Sequence, residues 1–231
     1  MMRKRIAILI ILAAAGVSLV GVAAVSSQPS NTRLAITGGD PVSAREAATV
    51  RESRSGRPTE PAADAVITAH ARQTVAGESW KIVAYHSKRG ALCAGVTWPG
   101  EGQEMGCAAR SDWFARGPVS VSVGARQASG QPASAWETIV VSGLADTSRV
   151  TRVEIVSTDC SSRTVTLDRS GFFLHLTPST SIARAAWPYE LLAYDRSGQL
   201  VHRERVRPNA PDTDAARAAG VRAPEADPAC A

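Results

Sequence analysis

The chain lacks every compact signature of a reaction centre. It contains no G-x-S-x-G elbow, no H-E-x-x-H, no Walker A loop, no G-x-G-x-x-G and no EF-hand loop. It also lacks a C-x-x-C pair and any His-rich spacing, which argues against a bound metal and leaves no cofactor implied. Lysine is scarce, at positions 4, 81 and 88 alone. The formal charge is +5, of which Arg3, Lys4 and Arg5 carry three units, leaving +2 on everything after them. Without a basic run in that remainder, a nucleic-acid footprint is not supported. Few lysines against many arginines and alanines read as the coding bias of a GC-rich bacterium rather than as a phosphate-binding device.

What is present begins with a targeting segment. The basic cluster at residues 3–5 is followed by residues 6–25 without a charge. At 1.5 Å per helical residue that run spans roughly 30 Å, one hydrocarbon thickness. Residues 1–25 are therefore expected to be a transmembrane anchor, with the basic flank inside and the rest exported. A cleaved signal stays open, because residues 6–15 alone would serve as its apolar core and Val22-Ala23-Ala24 or Ala24-Val25-Ser26 as its cut site. The expected location is the cell membrane with the C-terminal domain outside, or secretion if the segment is removed.

Residues 26–65 are rich in Ser, Pro, Ala, Gly and charge and read as a flexible tether. Within them Asp40 is positioned to cap a short helix with Pro41 at its first position, and Val42, Ala47 and Val50 give that helix a thin apolar stripe. Residues 66–206 change character. Val119, Val121 and Val123 alternate with Ser120, Ser122 and Gly124, and Val153 and Ile155 alternate with Arg152 and Glu154, the period of strands with one buried face. Further short strands are expected over 82–85, 92–98, 139–141, 165–167, 172–176, 189–194 and 200–206. Asp168-Arg169-Ser170-Gly171, Asp195-Arg196-Ser197-Gly198 and Ser87-Lys88-Arg89-Gly90 share one turn chemistry: a side chain that bonds the turn backbone, then a Gly for positive φ. The expected fold is all-β, an Ig-like antiparallel β-sandwich over 66–206, with 207–231 as a C-terminal tail.

Four cysteines in an oxidising compartment predict two disulfides. Cys93 and Cys107 flank a Pro/Gly turn region and are expected to pair, with Cys160 and Cys230 paired by elimination. Of five tryptophans, Trp80, Trp136 and Trp187 read as packing residues. Trp98 and Trp113 flank the Cys93–Cys107 loop and are the candidate ligand-binding pair, a stacking platform for a surface glycan or peptide. No catalytic residue stands out. Of the four histidines, His70, His86, His175 and His202, a pair such as His175 and His202, each beside an Asp-containing turn, could in principle bind a metal, but strand alternation points them to solvent or strand neighbours.

Trp80-Lys81-Ile82-Val83-Ala84-Tyr85, Gly90-Ala91-Leu92-Cys93, Gly106-Cys107, Ser142-Gly143-Leu144, Val150-Thr151-Arg152-Val153-Glu154-Ile155, Phe172-Phe173-Leu174 and Ala193-Tyr194-Asp195-Arg196-Ser197-Gly198 follow a familiar order. Together they resemble uncharacterised exported β-sandwich proteins of actinobacteria. That resemblance covers about residues 80–206 and implies the fold, with no activity, ligand or site residue attached to it. The expected function is an extracytoplasmic, non-enzymatic binding or sensory module held at the membrane, with a cell-surface protein or glycan as partner. The alternative is an extracytoplasmic hydrolase with a loop-assembled active site.

Overall fold

The computed structural model describes residues 38–98, 102–127, 136–178 and 188–206, all within the chain's second compact unit, Asn31–Ala231. The expected N-terminal anchor and C-terminal tail lie outside the described residues. Among the described residues no helix is long and apolar enough to cross a membrane.

In chain order the described elements are β1 (Asp40–Pro41), α1 (Ala44–Arg54), β2 (Thr68–Val75), β3 (Glu78–His86), β4 (Leu92–Trp98), β5 (Gly102–Ala108), α2 (Arg110–Trp113) and β6 (Val119–Gln127). They continue with β7 (Trp136–Ala145), β8 (Arg152–Ser157), β9 (Ser162–Val165), β10 (Phe172–Pro178), β11 (Pro188–Tyr194) and β12 (Leu200–Arg205). The protein is all-β in its framework, and every strand pairing is antiparallel. Three sheets result: β1-β2-β3-β4-β5, then β10-β7-β6, then β12-β11-β8-β9.

Side-chain alternation stacks these sheets. Val119, Val123, Ile139, Val141 and Phe173 of the second sheet meet Val153, Ile155, Val165, Leu191 and Ala193 of the third. Leu144, Phe172, Leu174 and Leu176 leave the opposite face of the second sheet and meet Trp80, Ile82, Ala84, Leu92, Ala94 and Val96 of the first. The second sheet is thus covered on both sides, which explains why Phe172-Phe173-Leu174 is a continuous apolar run rather than an alternation. A third cluster joins Val50 of α1 to Ile67, Val83, Tyr85 and Cys93 on the outer face of the first sheet.

Three expectations are corrected here. From Gly38 onward the expected tether is built into the fold. Val42, Ala47 and Val50 do form the apolar stripe, and it is seated on the first sheet. Arg51 donates to the carbonyls of Ala62 (3.1 Å) and Ala65 (2.7 Å), and the Tyr85 hydroxyl donates to Thr59 O at 2.9 Å, so the chain after the helix is tied down too. The helix starts later than expected, because Ser43 and Glu46 form a reciprocal capping box while Asp40 and Pro41 pair with Ala69 and Thr68 in β2. The ninth strand ends at Val165 rather than starting there, since it only has to pair with β8.

The turn chemistry holds, although one turn does a different job. Ser87 Oγ accepts from Ala91 N, Asp195 Oδ1 from Ser197 N and Gln199 N, and Asp168 Oδ1 from Ser170 N and Phe172 N. Gly90, Gly198 and Gly171 follow with φ of 77°, 83° and 91°. The Ser87 and Asp195 turns close the β3–β4 and β11–β12 hairpins. The Asp168 turn instead carries the chain from the third sheet to the second.

Cys93 and Cys107 sit directly opposite in the β4–β5 ladder and are bonded, with Cα atoms 4.0 Å apart. Cys160, in the turn after β8, is also disulfide-bonded. Its expected partner Cys230 lies outside the described residues.

Candidate functional site, a cavity between two sheets

The first and second sheets do not close everywhere. On β4 the residues facing the second sheet are Leu92, Ala94 and Val96, and Gly106 of β5 stands opposite Ala94. On β6 Val119 and Val123 face the third sheet, so Ser120 and Ser122 face the first. Ser122 is opposite Ser142 of β7. Four small residues, Ala94, Gly106, Ser122 and Ser142, therefore occupy positions where packed sheets usually interdigitate large side chains. A cavity of about 290 Å³ remains there. Ile82, Val96 and Phe172 give it apolar walls, and Trp113 bounds it beside the entry of β6. The Trp113 indole Nε1 donates to Leu92 O at 3.1 Å, which fixes the ring. No lining residue is charged.

Two glycines at this cavity serve opposite purposes. A Cβ on Gly143 would lie 2.3 Å from Phe173 Cζ and 2.4 Å from Ser120 O, so glycine is required by close packing on the third-sheet side. A Cβ on Gly106 would meet nothing within 4 Å. Sealed and dry, such a void would cost on the order of 24 cal/mol per Å³, several kcal/mol for its full volume. Hydroxyls and an open side admit water and lower that cost, and Gly106 itself is exposed at the open edge.

The two tryptophans predicted as a platform are not brought together. Trp98 stacks on Trp80, with centroids 5.0 Å apart and planes at 28°, and is half-buried. Pairing of β4 with β5 continues from Cys93–Cys107 to Trp98–Gly102, so the supposed loop is a hairpin with Trp98 near its tip. Trp113 returns to Leu92 at its base. Six residues of strand separate the two ends, roughly 20 Å. Trp113 belongs to the cavity, and Trp98 to the core packing around Trp80.

His175 and His202 are also apart, on the second and third sheets. His175 Nε2 is 3.3 Å from Thr177 Oγ1, and His202 Nε2 is 3.5 Å from Glu204 Oε2. Among the described residues, no group of three or more His, Cys, Asp or Glu side chains could hold a metal ion.

One constellation was not anticipated. His70 Nδ1 lies 2.6 Å from Asp168 Oδ2, and His70 Nε2 lies 2.9 Å from Thr68 Oγ1. An Asp–His–hydroxyl relay is the arrangement that activates a nucleophile in many hydrolases. Here it has no room for a substrate. A Cβ on Gly39 would be 2.5 Å from the imidazole Nε2 and 2.9 Å from Thr68 Cβ, so the backbone at Gly39 closes over the ring. None of the three residues lines the cavity, and the His70 side chain is fully buried. The imidazole packs instead on Phe172, centroids 4.5 Å apart, and Phe172 is a cavity wall. The relay is a brace, and only the Asp168 turn motif hinted at it.

The chain matches no protein-family model, and no curated protein or solved structure is significantly similar to it.

Proposed function

We propose that the protein is an extracytoplasmic, non-enzymatic binding module and that the inter-sheet cavity is its ligand site. It is held at the membrane by residues 1–25 and presented outside the cell. The second and third sheets supply an Ig-like sandwich, since the strand orders β10-β7-β6 and β12-β11-β8-β9 fit the connectivity of that class. The first sheet and α1 are additions that create the cavity on the sandwich's outer face. Two bonded cysteine sites, at Cys93–Cys107 and Cys160, are in keeping with an oxidising compartment.

The single observation carrying this reading is the cavity itself, about 290 Å³ with apolar walls and three serine hydroxyls, open to solvent where Gly106 and Ser122 are exposed. A concave, mostly apolar pocket with a few polar groups is the usual form of a small-ligand site. The hydrolase alternative has the Asp168–His70–Thr68 relay, the one seen among the described residues, sealed beneath Gly39. Native mass spectrometry of the full chain, released from the membranes in which it was produced, tests the proposal. Wild type should carry an additional small mass that Gly106→Leu does not. Identical spectra, with no bound mass in either, would count against it.

A further inference from the structure

The lining of the cavity says what kind of molecule it takes. Its walls are aliphatic or aromatic, and its side-chain polar groups are the hydroxyls of Ser120, Ser122 and Ser142. The Trp113 N–H is already committed to Leu92 O, so the ring offers its π face and not a donor. An ionised ligand would lose water on entering and meet no opposite charge, which disfavours carboxylates, phosphates and sulfonates. Each serine hydroxyl can donate one hydrogen bond and accept two, a match for a hydroxyl or carbonyl oxygen. At roughly 30 Å³ per water-sized group, the volume corresponds to about ten heavy atoms. Phe172 is held in place by His70 behind it, so the wall it forms is preorganised.

Resting on the reading of the cavity as a ligand site, we infer that the ligand is a neutral, largely apolar small molecule carrying a hydroxyl or carbonyl oxygen. The oxygen is held by Ser120, Ser122 or Ser142, and the apolar body lies between Trp113 and Phe172. Charge complementarity selects it: a neutral site admits a neutral guest and rejects the same guest once ionised.

Fluorine NMR of the full chain in phosphatidylcholine nanodiscs, labelled with fluorotryptophan, reads the site directly, with the Trp113 signal assigned through Trp113→Phe. Naphthol should shift the Trp113 resonance saturably, whereas naphthalenesulfonate, the same ring system with a fixed charge, should need at least a tenfold higher concentration. Gly106→Leu should weaken the naphthol effect at least tenfold, and Ala94→Val should reproduce that loss should the first variant fail to fold. Equal responses to naphthol and the sulfonate would overturn the ligand class while leaving the cavity as a binding site. No response to either probe would overturn both.

Discussion

His70 and Asp168, 98 positions apart in the chain, meet at 2.6 Å and join the first sheet to the turn that crosses from the third sheet to the second. The same Asp168 carboxylate organises its own turn through Oδ1, accepting from Ser170 N at 2.8 Å and Phe172 N at 2.9 Å. One side chain thus sets the turn, the imidazole and, through the ring contact with Phe172, a wall of the cavity.

His70→Ala and Asp168→Ala should each destabilise the fold by about 2–4 kcal/mol, because each leaves a buried polar partner unmatched and His70→Ala also opens a void. The double variant should lose less than the sum of the two, with a coupling of about 0.5–3 kcal/mol. Urea unfolding of the four proteins measures it, and strict additivity would show that the contact contributes nothing of its own.

Removing the cross-strand disulfide through Cys93→Ala with Cys107→Ala should cost about 3 kcal/mol, the chain-entropy value for a loop of this length. The pair is adjacent in the ladder to Ala94–Gly106, so ligand affinity should fall along with the melting temperature. Calorimetry with and without bound ligand separates the two effects.

Acid should weaken the protein in two stages. Burial first, and then the Arg163 charge, hold His175 below its ordinary value of 6.5. The unfolded chain therefore binds that proton more readily, and stability present above about pH 6.5 is lost as the pH falls towards the folded-state value. Glu46 is held low mainly by its hydrogen bond to Lys81, and Asp195 by that from Ser197, so their contributions are present at neutral pH and disappear as those carboxylates protonate. His175→Gln should flatten the first stage of a stability-versus-pH curve and leave the second unchanged. A variant curve that tracks wild type between about pH 7 and 5 would contradict this assignment.

Much of the framework was legible in the sequence. Val119-Ser120-Val121-Ser122-Val123 announced a strand, and the Asp/Ser-to-Gly turns announced their own hydrogen bonds. The strand's second face was legible only in part. Ser120 and Ser122 have the polarity of a solvent face, and Ser122 is indeed exposed, yet both also line the open cavity under the first sheet. Periodicity tells that a face is less apolar, but not whether water or a cavity lies beyond it. The helix α1 was visible only as a thin stripe because Val50 is its one fully buried residue. Beyond the Asp168 turn motif the His70–Asp168 contact carries no local signal, since it depends on which strand that turn is brought against. Trp98 and Trp113 are not a pair because the β4–β5 hairpin carries Trp98 to its tip while Trp113 returns to Leu92 at its base.

The central claim is that the space beside Gly106 is held open for a ligand rather than left by poor packing. The most direct measurement is the stability and ligand binding of Gly106→Leu, set against Gly143→Ala as a control. The leucine stands at an exposed strand position, so stability should change by less than about 1 kcal/mol while ligand binding is lost. Gly143→Ala, whose Cβ would be 2.3 Å from Phe173 Cζ, should lower stability by about 1–3 kcal/mol. A Gly106→Leu protein that is strongly destabilised, or that binds ligand as wild type does, would contradict the account.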